Sequence, residues 1–173
     1  QKRYLASLMS NLPGVAYRRK PDQGWTMQFM SEGVISLTGY TPYELMTGSL
    51  SYTDLINPID QVEVQQSISE CLARREKYTV VYRIHTRAQE EKWVWEQGNG
   101  VYSEKNELLA LEGFITDITE RKRTEEVLQK SHEYLQTHIK EVEALQEKLR
   151  EEAIRDSLTG IFNRRYLEET LDR

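Results

Sequence analysis

Residues 78–86 read Tyr78-Thr79-Val80-Val81-Tyr82-Arg83-Ile84-His85-Thr86. Tyr78, Val80, Tyr82 and Ile84 alternate with Thr79, Val81, Arg83 and His85, and side chains two apart on an extended chain share a face. The stretch is therefore a strand with one face turned to a core. Two more strands follow. Residues 92–102 carry Trp93 and Trp95 on one face, with Gly98 and Gly100 marking a bulge or a close backbone approach. Residues 107–116 carry Leu108, Leu109, Leu111, Phe114 and Ile115. Ser103-Glu104-Lys105-Asn106 turns the chain between these two, Asn106 being able to take the left-handed position.

Upstream lie short helices and, before them, a hairpin. Asn57-Pro58-Ile59-Asp60 leads into a helix over about residues 61–77, with Val64, Ile68, Cys71 and Leu72 on one face. Cys71 there reads as a small core residue. Thr41-Pro42-Tyr43-Glu44 is a capping box with proline at the first helical position. Ser31 caps a third helix carrying Val34, Ile35 and Leu37, stopped by Gly39. Residues 15–19 and 25–30 are strands around Lys20-Pro21-Asp22-Gln23-Gly24. Tyr4, Leu5, Leu8, Met9 and Leu12 make an amphipathic helical stripe over residues 1–13, ended by Pro13-Gly14. Two strands, several helices and three strands make an α+β domain: a five-stranded antiparallel sheet with its helices on one face.

Downstream the pattern changes. Residues 120–155 lack Gly and Pro, are dense in charge, and place Leu128, Leu135, Val142 and Leu149 seven apart. That period reads as a coiled coil, and its length, roughly 50 Å, exceeds what one small core covers. The expected partner is a second copy, in a parallel homodimer with those four residues as its seam.

The chain has 173 residues, a net charge of −5 and 38 % hydrophobic residues. The negative balance offers no general attraction for nucleic acid or an anionic membrane, and Arg121-Lys122-Arg123 is answered at once by Glu125-Glu126. Cys71 is the lone cysteine, so there is no disulfide framework; a reducing, cytoplasmic setting fits. No apolar run reaches the roughly 18 residues of a membrane span. The first residue is Gln1 and the chain stops in mid-helix, which points to an excised piece of a longer protein.

Four segments carry a resemblance: Leu12-Pro13-Gly14-Val15-Ala16-Tyr17, Leu37-Thr38-Gly39-Tyr40-Thr41-Pro42-Tyr43-Glu44-Leu45, Asn57-Pro58-Ile59-Asp60 with Trp93-Val94, and Gly113-Phe114-Ile115-Thr116-Asp117-Ile118-Thr119-Glu120-Arg121-Lys122. In this order they resemble a PAS domain over about residues 5–119. The last is similar to the D-I-T-E-R-K run through which many PAS domains pass into a signalling helix. The resemblance implies strand order 2-1-5-4-3 and a cavity between the sheet's inner face and the short helices, with Tyr82, Ile84, Trp93 and Trp95 as candidate lining. Asp117, Ile118 and Thr119 are the expected transmission point, and either side-chain oxygen can accept from the open N–H groups of the helix start. After the rod, Asp156-Ser157-Leu158-Thr159-Gly160-Ile161-Phe162-Asn163-Arg164-Arg165 resembles the opening motif of GGDEF (diguanylate cyclase) domains, carried by Asp156, Leu158, Thr159, Gly160, Asn163, Arg164 and Arg165. The expected domains are then 1–13 (helix), 14–119 (PAS), 120–155 (signalling helix) and 156–173 (the start of a GGDEF domain).

No catalytic constellation, phosphate-cradling glycine loop or metal-ligand cluster is present, so this chain is not itself expected to be an enzyme. Photochemical adduct formation with a flavin would need a G-x-N-C-R-F-L-Q segment, which is missing. Haem would need an axial ligand in the cavity; His85 alternates to the outer face and His132 and His138 lie on the rod. A non-covalent flavin or another small molecule stacked on Trp93 and Trp95 is the cofactor reading left open, beside no ligand at all.

Overall fold

Alternation and turn chemistry set the sheet. The computed structural model describes residues 14–155 apart from 23 and 49, together with 160–162. The expected helix over 1–13 and six residues of the opening motif, Asp156, Leu158, Thr159, Asn163, Arg164 and Arg165, lie outside the described residues. Five strands are present: β1 (Val15–Arg19), β2 (Met27–Met30), β3 (Tyr78–His85), β4 (Glu91–Tyr102) and β5 (Leu108–Asp117). All pair antiparallel in the order β2-β1-β5-β4-β3, as the resemblance implies. Asn106 takes the left-handed conformation at the β4–β5 turn, with φ 65°.

Between β2 and β3 lie α1 (Gly33–Thr38), α2 (Pro42–Thr47), a 3-10 turn (Tyr52–Leu55) and α3 (Pro58–Ala73). The Thr41 capping box forms: its hydroxyl accepts from the Glu44 N–H and the Glu44 carboxylate accepts from the Thr41 N–H. Two expectations shift. Ser31 does not cap α1; its Oγ accepts from the Ala16 N–H at 3.0 Å, tying the end of β2 to β1. Helix α3 starts three residues earlier than expected because Asn57 caps it, accepting from the Ile59 N–H at 3.1 Å, with Pro58 at the first helical position.

The core is a layer between the helices and one face of the sheet. Val15, Tyr17, Met30, Tyr78, Val80, Tyr82, Ile84, Val94, Leu111 and Ile115 meet Val34, Leu37, Leu45, Tyr52, Leu55, Val64 and Ile68 there. The last element, α4 (Thr119–Ile154), runs 36 residues and buries none of them. The chain falls into two compact units that part between Lys122 and Arg123.

Candidate functional site: a buried charge cluster and a helix handover

Register decides which side chains meet inside. Tyr82 pairs with Val94, Val80 with Glu96 and Tyr78 with Gly98, and directly opposed residues share a face. The inner face of β4 is therefore Val94, Glu96 and Gly98. Trp93 and Trp95 oppose Arg83 and Val81 on the outer face, half-exposed. Their candidacy as cavity lining, resting on the rings' ability to stack on a ligand, does not match this register: the pleat puts them on the far side. Tyr82 and Ile84 do face inward and are fully buried.

At the centre of that face sits an ion pair. Glu96 is 0 % exposed and Arg19 3 %. Arg19 Nη2 lies 3.1 Å from Glu96 Oε1 and 3.2 Å from Oε2. The hydroxyls of Tyr17 and Tyr82 both donate to the same carboxylate. Tyr78 Oη stands 2.5 Å from Tyr17 Oη, and Tyr52 Oη 3.3 Å from Tyr82 Oη. The Arg19 guanidinium lies over the Tyr17 ring at 4.4 Å and the Tyr52 ring at 5.6 Å. Gly98 makes room: a Cβ there would meet Tyr78 Oη at 2.5 Å and Tyr17 Oη at 2.8 Å. The close approach suspected from Gly98 is to two phenols.

Burial keeps the phenols of the cluster neutral. Burial first, then the Glu96 charge, pushes the Tyr17 and Tyr82 phenols far up and the Tyr78 phenol to about 12, so they stay neutral donors. Burial pulls Arg19 down, but the Glu96 charge and the neighbouring phenols outweigh it and the net direction is upward. One donor is left over: Arg19 Nε is buried without a hydrogen-bond partner. Sequence reading missed Arg19 and Glu96. The available signal was period two: Arg19 shares a face with Val15 and Tyr17.

A cofactor must fit this interior. A tricyclic flavin ring would need the volume filled by Tyr52, Tyr78 and Tyr82, all 0 % exposed, and would press on a paired carboxylate. In this arrangement the residues do not fit a flavin. Cys71 is half-buried on α3 against the core. Among the described residues no group of His, Cys, Asp and Glu could hold a metal ion.

The second constellation lies where β5 ends. Asp117 Oδ1 accepts from the Thr119 N–H at 2.9 Å and from the Thr119 hydroxyl at 2.6 Å, so Asp117 covers one open donor of the start of α4. Thr119 acts differently. Its Oγ accepts from the Trp93 N–H at 2.9 Å, and the Ile118 N–H donates to the Trp93 carbonyl at 2.9 Å. Both bonds tie the junction into α4, Ile118 and Thr119, to β4. Lys92 Nζ sits 3.2 Å from Asp117 Oδ2, and Lys122 Nζ 5.7 Å over the Trp93 ring. Burial raises the Asp117 carboxyl, but hydrogen bonds from Thr119 and Lys92 outweigh it and hold it below the usual carboxylate range. Ile118 is buried.

Along α4, Leu128, Leu135, Val142 and Leu149 are between 51 % and 70 % exposed. Gly160, the described member of the opening motif, has φ 70° and accepts from Arg155 Nη1 at 2.9 Å. No helix of the described residues is long and apolar enough to cross a membrane.

Comparison with known proteins places the fold. A methyl sulfide methyltransferase-associated sensor from Methanosarcina acetivorans is 31 % identical over 115 residues; the match takes in 66 % of this chain and 11 % of that protein. A sensory box histidine kinase/response regulator from Burkholderia thailandensis superposes with TM-score 0.61 at 29 % identity, over 79 % of this chain and 99 % of that one. The N-terminal domain of a diguanylate cyclase with PAS/PAC sensor from Marinobacter aquaeolei gives 0.56 at 17 % identity, over 63 % of this chain and 98 % of that one, and speaks for the fold alone. Residues 28–115 match the PAS fold family, and with the β2-β1-β5-β4-β3 sheet around its helices this chain belongs to it.

Proposed function

We propose that this chain is the sensory and dimerising part of a diguanylate cyclase: the PAS domain takes the signal, and α4 passes it to a GGDEF domain that makes cyclic di-GMP from two molecules of GTP. The supporting observation is the 36-residue helix with every member of its apolar stripe open to solvent. Such a stripe is stable when a second copy covers it, here in a parallel homodimer, and pairing two chains is what a two-GTP reaction needs. The opening motif after the rod supplies the cyclase part of the reading, and the Asp117–Ile118–Thr119 handover supplies its input point. The protein would work in the cytoplasm, where its nucleotide substrate is.

The test has two parts. Sedimentation of the 173-residue chain should show a dimer, and full-length protein should convert GTP to cyclic di-GMP at a rate that Asp117→Ala changes. A monomer, or a cyclase indifferent to Asp117, would break the reading at a defined point.

A second reading, a constitutive dimeriser with no ligand, is favoured by the interior filled with tyrosines. Small molecules retained by the purified protein, read by mass spectrometry and absorption, separate the two.

A further inference from the structure

We propose that Glu96 with Tyr17, Tyr52, Tyr78 and Tyr82 forms a receptor for a small organic cation of the guanidinium or alkylammonium class, and that Arg19 is its resident competitor. This rests on the reading of the domain as a sensor.

With the Arg19 side chain set aside, the site is one fully buried carboxylate that accepts from the Tyr17 and Tyr82 hydroxyls, beside the rings of Tyr17 and Tyr52. Ring faces and a carboxylate both attract cations, and a desolvated cation gains from both at once. An anion would add a second negative charge beside Glu96. A neutral guest would leave Glu96 without a counterion. The guanidinium of Arg19 fulfils the cation's part from within the chain, over the Tyr17 and Tyr52 rings and against both Glu96 oxygens.

Its fit is incomplete. Arg19 Nε is buried with no acceptor, a cost that a guest of different shape need not carry. Arg19 is also the last residue of β1, at a register shift between Arg18 and Arg19 where the hairpin to β2 begins. Trp25, on the far side of the same turn, sits at φ 48°, a left-handed conformation that strains a bulky residue, and it packs against the core. Displacement would be felt at the handover, because Glu96 opposes Ile115 on β5, two residues from Asp117.

The test uses the 173-residue chain and methylguanidinium chloride, with sodium chloride and sodium acetate at matched ionic strength as controls. Arg19→Ala empties the site of its resident. Methylguanidinium should bind this variant at least about tenfold tighter than wild type, since a tethered competitor acts at high effective concentration. Arg19→Ala/Glu96→Gln should lose that binding. Should Arg19→Ala be unfolded in buffer, about 10 mM methylguanidinium should restore its far-UV circular dichroism, as ligand binding to the native state requires. Equal binding by wild type and Arg19→Ala, binding that survives Glu96→Gln, or an unfolded variant that methylguanidinium does not rescue, would each overturn the ligand class and leave the sensor reading standing. Binding that leaves cysteine crosslinking along α4 unchanged would overturn the sensor reading and leave the receptor standing.

Discussion

The PAS domain and the helix α4 place charge and apolar surface in opposite ways. In the domain an Arg–Glu pair sits at the centre of the core, while on α4 the comparable pair, Lys130–Glu126, is 72 % and 65 % exposed and all four members of the seven-residue stripe face solvent. The same two chemistries carry different weights in the two places. A solvated pair one helical turn apart contributes little, because water screens both charges. A buried pair has given up its water, so losing one partner is costly although the pair adds little over a well-packed apolar substitute. The buried pair therefore selects one arrangement of the core. The exposed stripe, by contrast, would select the partner in the proposed dimer.

The largest effect should come from charging the stripe. Leu135→Glu with Val142→Glu removes two apolar side chains from the proposed seam, each contributing about 1.5–3 kcal/mol when buried. Both chains of a homodimer carry the change, so four seam side chains are lost and the dissociation constant should rise by at least about four powers of ten, read by sedimentation equilibrium. The PAS domain's own unfolding should stay put. A double variant that sediments as wild type would mean the seam lies elsewhere and the comparison has assigned the exposed stripe the wrong task.

Next comes the core. Glu96→Ala leaves Arg19 buried without its counterion and two phenols without their acceptor, and should cost about 3–5 kcal/mol in urea unfolding followed by tryptophan fluorescence. Arg19→Met with Glu96→Leu should recover most of that loss. If the double variant is as unstable as the single one, the pair adds net stability and the contrast with the exposed pairs of α4 collapses.

Much of the fold was legible in the sequence because local chemistry and tertiary need agree there. The Thr41 capping box, the Asn106 turn and the alternation of residues 78–85 each depend on neighbours a few positions away. The candidate site was less legible because it depends on phase between strands. Trp93 and Trp95 stood as cavity candidates because their rings could stack on a ligand, yet only the β3–β4 register, Tyr82 opposite Val94, shows that Glu96 is the residue turned inward. Gly98 announced a close approach without naming Tyr17 and Tyr78 as the groups approached. At the handover, Asp117 and Thr119 were visible as polar residues before a helix, but Thr119 reaches Trp93, twenty-six residues back, and no local pattern encodes that bond.

Between the buried and the solvated pair lies Asp60–Arg83. Asp60 accepts from the Arg83 backbone N–H, Nε and Nη2 at 2.9, 2.9 and 2.6 Å. The Arg83 hydrogen bonds hold the Asp60 carboxyl below its usual value. A lowered folded pKa gives stability that is present above the unfolded value, about 4, and is lost as pH falls through the folded one. Asp60→Asn should cost about 1 kcal/mol at pH 7. That difference should shrink from about pH 4 downward and vanish once wild-type Asp60 is protonated. A gap that persists in acid would mean that Asp60 acts through packing.

Asp117→Ala removes the cover from the start of α4 and should cost about 1 kcal/mol. In full-length protein it should alter signal response more than melting temperature. Equal loss of both would leave Asp117 a cap and nothing else.

The smallest effect concerns which stripe flanks the seam. Leu128, Leu135, Val142 and Leu149 can pair with His132, Ile139, Gln146 and Ala153, or with Ser131, His138, Leu145 and Glu152. Two residues of the first set and three of the second are polar, and polar residues at core positions set register. The single helix shows no preference: Ile139 is 57 % exposed and Leu145 59 %. His132 and His138 are each engaged along the helix, Nε2 of His132 2.8 Å from Gln136 Nε2 and the His138 ring 4.1 Å from that of Tyr134. A difference under about 1 kcal/mol leaves both registers populated, and a small rotation at Ile118–Thr119 can bias them. Gln146→Leu should favour the first register and Leu145→Gln should disfavour the second, so both should move basal cyclase activity of the full-length protein in the same direction. Disulfide trapping in a Cys71→Ser background, with cysteine introduced at Ile139 or at Leu145, reports the register directly. Both positions should crosslink, in proportions that change with signal. If one alone crosslinks under every condition, the rod has a single register and the exposed stripe serves association without switching.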